Sequence, residues 1–289
     1  MNSFNFEPYI TTFNEYLVIR DLTKNTQKSY NSLLRCYLSY IDTYLKILPE
    51  EVSFAQIRAY ILYLKNTKKL VNRSINAHLF QVRFFRQYVL KQSWDKYEVP
   101  SMKFNTVLPD ILSQEEVFSF IDSIPNLKHK ACTALLYSSG LRVSELCHLR
   151  YEDIDRKNLR LYISSSKSRS DRYTILSPKA LDILTQYWFA YNRPKDWLFP
   201  GQKPDSPIVS NTVSRFLADH TTFLSWNRGV NAHLLRHCFG THLYEQGTDL
   251  LVIQKLLGHK SINSTTIYVH LAKKNLSDYK SPFDYEGNL

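Results

Sequence analysis

Residues 232–270 read AHLLRHCFGTHLYEQGTDLLVIQKLLGHKSINSTTIYVH, and the rest of the chain is best understood from them. His233 and Arg236 are three residues apart, a spacing that places both side chains on one face of a helix. His259 follows a glycine, which predicts a turn directly after a helix. Tyr268 comes nine residues later on a short segment. The stretch therefore combines a guanidinium, two imidazoles and a phenol, a set suited to an anionic oxygen centre such as a phosphodiester.

A second basic motif lies upstream, in SGLRVSEL. Gly140 is a plausible end for a helix over residues 128–138. Arg142 follows it, and Glu145 stands three residues further on. Taken alone, such a pair is more often an ordinary ion pair on a helix surface. A carboxylate at this position is also able to orient a guanidinium and hold it charged without touching a substrate.

Residues 159–163 and 172–176 alternate as two strands around the polar segment SSSKSRSD. The pattern predicts a β-hairpin with a basic tip. Lys167 and Arg169 belong to the tip, and Arg172 begins the second strand. The alternative interpretation is a solvated polar turn without a role in chemistry.

The motifs HLLRH, LLGH and TTIYVH, with SGLRVSEL before them, together resemble the tyrosine recombinase (phage integrase) family, and the Xer-like enzymes in particular. The resemblance implies that Arg142, Arg236 and His259 contact the phosphate and that Glu145 supports them. It also implies that His233 is a base or orienting residue, that Lys167 is the general acid and that Tyr268 is the nucleophile. The family usually has a glycine beside this lysine, and here there is none, so Arg169 and Arg172 remain less favoured claimants.

The chain before these motifs is predicted to form a separate helical domain. Residues 1–97 read as four helices with apolar residues at helical spacing. Residues 98–109 contain two prolines without a clear period and are predicted to be a linker, and residues 110–289 to be a catalytic domain with a C-terminal tail. The fold class is therefore mostly α with a small antiparallel sheet (α+β). Basic residues predicted to contact DNA are Lys24, Lys28, Arg73, Arg83, Arg86, Arg169 and Arg172.

The composition favours a polyanionic partner. The 289 residues carry a net charge of +11, and 44% of them are hydrophobic, enough for packed cores. A membrane surface is the other candidate partner, but we find no apolar run of about 18 residues and no signal-peptide pattern at the N-terminus. We therefore expect a cytoplasmic, nucleoid-associated protein. The four cysteines lack CxxC spacing and are expected to be free thiols.

Metal binding is the rival interpretation of the histidines. His233 and His237 form an HxxxH pattern. Zinc proteases with this spacing place a glutamate between the histidines. Here Arg236 intervenes, and its charge opposes a divalent cation. We therefore expect no metal or cofactor, and we interpret His237 and His242 as helix-packing residues.

The resemblance implies a site-specific DNA recombinase or integrase that cuts one strand, stores the bond energy as a 3′-phosphotyrosine and rejoins strands without ATP. It also implies a homotetramer on two double-stranded DNA sites and a Holliday-junction intermediate. One alternative is a type IB topoisomerase, which relaxes supercoils without a specific site. The other is a DNA-binding protein with an inactive site, which would form no covalent DNA adduct.

Overall fold

The computed structural model describes residues 4–105, 108–164, 171–203 and 205–272. The chain divides into two compact units, Met1–Thr106 and Val107–Leu289. This division falls within residues 98–109, and the domain limits given above stay a prediction. None of the helices in the described ranges is long and apolar enough to cross a membrane.

Within residues 4–105, the first unit contains a 3-10 turn at Pro49–Glu51 and, as predicted, four α-helices. They are α1 (Glu7–Ile19), α2 (Lys24–Tyr40), α3 (Phe54–Asn66) and α4 (Asn72–Phe84), and α2 and α4 each continue into a π-helical turn, Ile41–Leu45 and Phe85–Val89. Ser53 and Gln56 form the capping box that starts α3. The apolar stripes of the helices meet in one core, in which Phe13, Leu34 and Ile57 are fully buried.

The second unit contains eight helices and three short strands within the described residues. They are α5 (Gln114–Asp122), α6 (Leu127–Ser138), α7 (Val143–Cys147), β1 (Ile154–Asp155), β2 (Arg160–Ile163), β3 (Arg172–Ile175), α8 (Pro178–Ala190), α9 (Ser210–Phe223), α10 (Ala232–Glu245), α11 (Leu250–Leu257) and α12 (Ile267–Leu271). Ser113 and Glu116 form a capping box at the start of α5. The prediction of a mostly α fold with a small antiparallel sheet is confirmed.

The sheet has the order β1-β2-β3, and both pairs are antiparallel. Ile163 on β2 pairs with Arg172 on β3. These residues form the last pair of the predicted hairpin before the segment that connects its two strands. The strand β1 was not predicted, because two residues are too few to show an alternating pattern. Lys167 and Arg169 lie outside the described residues.

Helix α10 is the central element of the second unit. It has buried side chains on several sides and packs against α6, α11 and α12. A helix that is apolar nearly all round is typical of a core position. His242 on α10 is buried as predicted, and its ring contacts the hydroxyl of Tyr137 and the carbonyl of Leu112. The functional face of α10 is therefore held from behind by the core of the unit.

Candidate active site

Helix α10 carries the first two basic side chains of the site. The side-chain oxygen of Asn231 accepts hydrogen bonds from the backbone N–H groups of His233 and Leu234 and caps the helix. Arg236 follows His233 on the same face, and its side chain is almost completely buried. The prediction that His233 and Arg236 share a helix is confirmed.

The turn after α11 brings His259 to the site. Gly258 ends the helix with φ +63°, a left-handed conformation that glycine adopts without strain. A Cβ atom on Gly258 would lie 2.9 Å from Cδ of Arg172, so a side chain would also collide with that arginine. His259 Nδ1 is hydrogen-bonded to Thr265 Oγ1 at 3.0 Å, which fixes the orientation of the ring. The predicted turn after α11 is confirmed.

One carboxylate, that of Glu145, joins three arginines. Its oxygens accept two hydrogen bonds from the Arg172 guanidinium at 2.8 Å each, one from the Arg142 guanidinium at 2.7 Å and one from the backbone N–H of Arg142 at 2.8 Å. Arg236 Nη1 lies 3.8 Å from Oε2 of the same carboxylate. A planar guanidinium paired with a carboxylate in this way is held in one orientation. Glu145 therefore sets the positions of three cationic groups at once.

Three successive backbone carbonyls at the end of α11 complete the arginine contacts. Each accepts a hydrogen bond from a different guanidinium: Leu256 O from Arg172 Nε at 2.9 Å, Leu257 O from Arg236 Nη2 at 2.6 Å, and Gly258 O from Arg142 Nη2 at 3.2 Å. The C-terminal end of a helix carries partial negative charge and unpaired carbonyls, and both favour cations. This end of α11 is therefore a second anchor for the same three arginines.

Burial and mutual charge alter the pKa values of this cluster. Burial raises the pKa of Glu145, but the hydrogen bonds and charges of Arg172 and Arg142 outweigh it and lower the pKa to about 2. Burial, followed by the charge of Arg142, lowers the pKa of Arg236 to about 10, although Glu145 opposes the change. At neutral pH all these groups are charged, and the guanidiniums outnumber the carboxylate. The site is therefore electrostatically suited to an additional anion.

Tyr268 on α12 is almost fully buried, with 1% of its surface exposed. Its ring stacks on that of His259, with centroids 6.3 Å apart and planes 9° apart, and lies 5.9 Å from the ring of His237. Burial raises the pKa of the Tyr268 phenol to about 12, while the charges of Arg236 and Arg142 lower it. The phenol is therefore protonated at neutral pH and lies within the field of the arginines.

The three histidines of the site are held in the neutral form. Burial, then the charges of Arg236 and Arg142, lower the pKa of His259 to about 4, and the same causes lower that of His233. Burial, followed by electrostatic repulsion from His233 and Arg236, lowers the pKa of His237 to about 4 as well. The buried Nδ1 of His237 has no hydrogen-bond partner among the described residues. No three His, Cys, Asp or Glu side chains in these ranges are arranged to hold a metal ion.

An open cleft of 660 Å³ gives access to this cluster. Arg142 and His259 line it, and Arg142 is the most accessible of the three clustered arginines, with 40% of its side chain exposed. Its other charged or imidazole lining residues are His148, Arg150 and Lys260 and the acidic Glu145, Glu152 and Asp153. The lining therefore carries charges of both signs, and the cleft gives an incoming group access to Arg142 and His259.

Arg172 differs from the sequence-based expectation. We predicted it as a DNA contact, but its side chain is only 7% exposed and donates to Glu145 and to the carbonyl of Leu256. The alternation along β3 explains the difference, because Arg172 and Thr174 point inward while Tyr173 points outward. The same alternation, visible in the sequence, could have identified Arg172 as an inward-facing residue.

The guanidinium of Arg86, which we predicted as a DNA contact, is engaged in contacts within the first unit. Its guanidinium donates to the carbonyls of Val52 and Ser93 and lies 4.6 Å from the ring of Phe54. These contacts join α3 to the chain after α4. The other basic residues of the first unit that we predicted as DNA contacts are exposed: Lys24, Lys28, Arg73 and Arg83. Lys24 and Lys28 line a groove of 1190 Å³, and Arg73 stacks on Phe104.

Glu145→Gln tests the charge of the central carboxylate through its pH dependence. Because the pKa of Glu145 is depressed, its stabilising effect is present above the ordinary pKa of 4.5 and is lost as pH falls towards about 2. Between about pH 5 and about pH 3, the free energy of unfolding of the variant should fall less than that of the wild type, by on the order of 2 kcal/mol. Urea titrations measure this, with the exposed Glu152→Gln as control. Equal pH slopes for wild type and Glu145→Gln would contradict the assignment.

Arg172→Lys tests whether Arg172 is structural or a DNA contact. The substitution keeps the charge but loses the two-point contact with Glu145, so the free energy of unfolding should fall by about 2 kcal/mol or more. In the control Arg160→Lys, the arginine pairs with Asp155 and is 46% exposed, so the loss should be under about 1 kcal/mol. A stability unchanged by Arg172→Lys, with a weakened affinity for DNA, would restore the original prediction.

Comparison with known proteins identifies related sequences for both units of the chain. A sequence model of the phage integrase family matches residues 110–275, and one of the phage integrase N-terminal SAM-like domain matches residues 10–96. A putative integrase/recombinase of Sinorhizobium fredii is 36% identical over 96% of this chain and 89% of its own length. A tyrosine recombinase of Pseudothermotoga lettingae is 30% identical over 97% of this chain and 100% of its own length.

Solved structures share the fold. The crystal structure of XerA recombinase is 26% identical, covers 92% of this chain and 95% of its own, and has a TM-score of 0.54. A lambda integrase dimer bound to a COC′ core site is 19% identical, covers 93% of this chain and 96% of its own, and has a TM-score of 0.74. From these matches, which span both units, the chain belongs to the phage integrase family, the tyrosine recombinases.

Proposed function

We propose that this protein is a site-specific DNA recombinase that cuts and rejoins strands through a covalent 3′-phosphotyrosine. The observation that carries the proposal is that Arg142 and Arg236 pair with the carboxylate of Glu145 while Tyr268, stacked on His259, lies within the field of both arginines. A tyrosine buried beside a surplus of guanidiniums is unusual as a packing residue. It is suited to attack on a phosphodiester, which is an anion.

The arginines supply the electrostatic part of the reaction. The transition state of phosphoryl transfer spreads negative charge over the non-bridging oxygens. Arg236 uses one N–H of each terminal nitrogen on a backbone carbonyl, Gly140 O and Leu257 O, and a second N–H remains on each. Arg236 donates these two remaining N–H groups to the phosphate oxygens. Arg142 donates N–H groups of its guanidinium to the same oxygens, and His259 donates one further hydrogen bond. Donors fixed before the reaction stabilise the charge without reorganisation.

The attacking group is the phenolic oxygen of Tyr268. It forms a bond to phosphorus while the bond from phosphorus to the 5′ oxygen breaks, and the phenolic proton passes to a base. His233, neutral because of burial and the nearby arginines, is our candidate for the base or for the residue that orients the phenol. Lys167, outside the described residues, is the candidate that protonates the 5′ oxygen. Rejoining is the reverse of these steps, and it uses the energy stored in the phosphotyrosine bond.

Double-stranded DNA is the proposed partner. A net charge of +11, the exposed basic residues on α2 and α4 and the surplus of guanidiniums around Glu145 all favour phosphate contacts. The related lambda integrase was solved on a core site, and XerH recombinase, 22% identical, on a difH substrate. We propose that this chain likewise contacts DNA through both units and acts at the nucleoid.

We further propose that four copies assemble on two paired DNA sites. In this arrangement the C-terminal tail after Leu271 docks on a neighbouring copy in a head-to-tail ring, a heterologous contact that closes on itself. Since the tail directly follows α12, its docking would influence the position of Tyr268. Only some copies would then cut at one time.

Tyr268→Phe tests the nucleophile. The variant should bind DNA with unchanged affinity and form no covalent adduct with a nicked substrate that traps the intermediate, because the attacking oxygen is absent. Tyr279→Phe and Tyr285→Phe, two other tyrosines near the C-terminus, should still form the adduct. Gel electrophoresis detects the adduct and peptide mass mapping locates it. An adduct mapped to Tyr279 or Tyr285 would refute the assignment.

Arg236→Lys tests the electrostatic role. Lysine keeps the charge but cannot contact the backbone carbonyls and the phosphate together, so strand cleavage should fall by roughly 10²-fold. DNA affinity should change little, since most of it comes from contacts elsewhere. The exposed Arg215→Lys on α9 is the matched control. Cleavage at the wild-type rate in Arg236→Lys would make Arg236 a purely structural residue.

A further inference from the structure

Gly240 lies in the interior of α10, where glycine is unfavourable. Glycine in a helix interior costs about 1 kcal/mol relative to alanine, because it has more conformational freedom to lose. The position has no positive φ that would require glycine. The reason for glycine at this position must therefore be space.

The space is occupied by the ring of Tyr268. A Cβ atom on Gly240 would lie 2.5 Å from Cζ of Tyr268, 2.6 Å from Cε1 and 2.8 Å from Cε2, all closer than such contacts allow. These three atoms form the outer end of the ring, the end that carries the hydroxyl. The backbone of α10 at Gly240 is therefore the surface on which the reactive end of Tyr268 rests.

The same face of α10 carries the other polar groups of the site. His233, Arg236, His237 and Gly240 follow each other at helical spacing. On the side of α11, His259 stacks parallel to the ring of Tyr268. Contact with Gly240 thus keeps the hydroxyl about one helical turn from Arg236, within the field of the guanidinium.

We propose that Gly240 is a positioning residue for the reaction: the missing side chain lets Tyr268 lie close enough to α10 for its hydroxyl to attack a phosphate held by Arg142 and Arg236. The inference rests on the proposed role of Tyr268 as the nucleophile. A methyl group at position 240 moves the ring away from α10 by at least part of an ångström. Displacements of about 1 Å in reacting groups lower rates by about 10²-fold.

Gly240→Ala tests the proposal in single-turnover cleavage of a nicked DNA substrate. The rate of adduct formation should fall by about 10²-fold, with DNA affinity within about twofold of wild type. Gly229→Ala is the matched control, because a Cβ atom at Gly229 would meet no atom within 4 Å. Its rate should equal that of the wild type. A Gly240→Ala rate equal to or above that of the wild type overturns the proposal.

A thermodynamic cycle keeps the test informative if Gly240→Ala folds poorly. With Tyr268 present, the added methyl meets the ring and should lower the midpoint of thermal unfolding. In a Tyr268→Ala background the ring is gone, so Gly240→Ala should raise the midpoint, since alanine is the better helix former. The same sign of the Gly240→Ala effect in both backgrounds overturns the proposal.

The two hypotheses fail in different ways. If Tyr268 is not the nucleophile, Tyr268→Phe forms an adduct whatever residue occupies position 240. If Tyr268 is the nucleophile and Gly240 does not position it, Tyr268→Phe forms no adduct while Gly240→Ala cleaves at the wild-type rate.

Discussion

The second unit depends on one buried ionic contact, the pairing of Glu145 with Arg172. Two hydrogen bonds of 2.8 Å join the groups, and both side chains are 10% exposed or less. Removing either partner would leave an uncompensated charge in the interior. The orientation of Arg142 and the position of Arg236 follow from this pair, because the same carboxylate contacts all three guanidiniums.

The cluster is incomplete without an anion. Its positive charges outnumber its negative ones, and the end of α11 supplies only partial charges as compensation. Burial is the main cause of the lowered pKa values of Arg236, His237 and His259, and the neighbouring positive charges lower them further. A phosphodiester would supply the missing negative charge, and this accounts for why cationic groups that repel one another are kept so close together.

Sequence reasoning identified most of the fold and the candidate residues, for identifiable reasons. The two strands that flank residues 164–171 lie within one residue of their predicted limits, because their alternation is visible in the sequence. The turn at Gly258 was predicted from a single glycine. The structural contacts of Arg172 and Arg86 were not predicted: strand alternation indicates that Arg172 faces inward, but sequence does not show which carbonyls or carboxylates lie within reach of a basic side chain. Gly240 was not noticed, since its significance depends on a ring 28 positions away in the chain.

The anchored base of the hairpin has a consequence for how such enzymes diversify. Ile163 and Arg172 are the last paired residues of the two strands, and Arg172 binds the hairpin to the arginine cluster through its hydrogen bond with Glu145. Changes in the eight residues between them, in length or in sequence, need not disturb the groups that hold the phosphate. The residues around Lys167 in this segment are therefore able to vary between related proteins while the guanidiniums keep their positions.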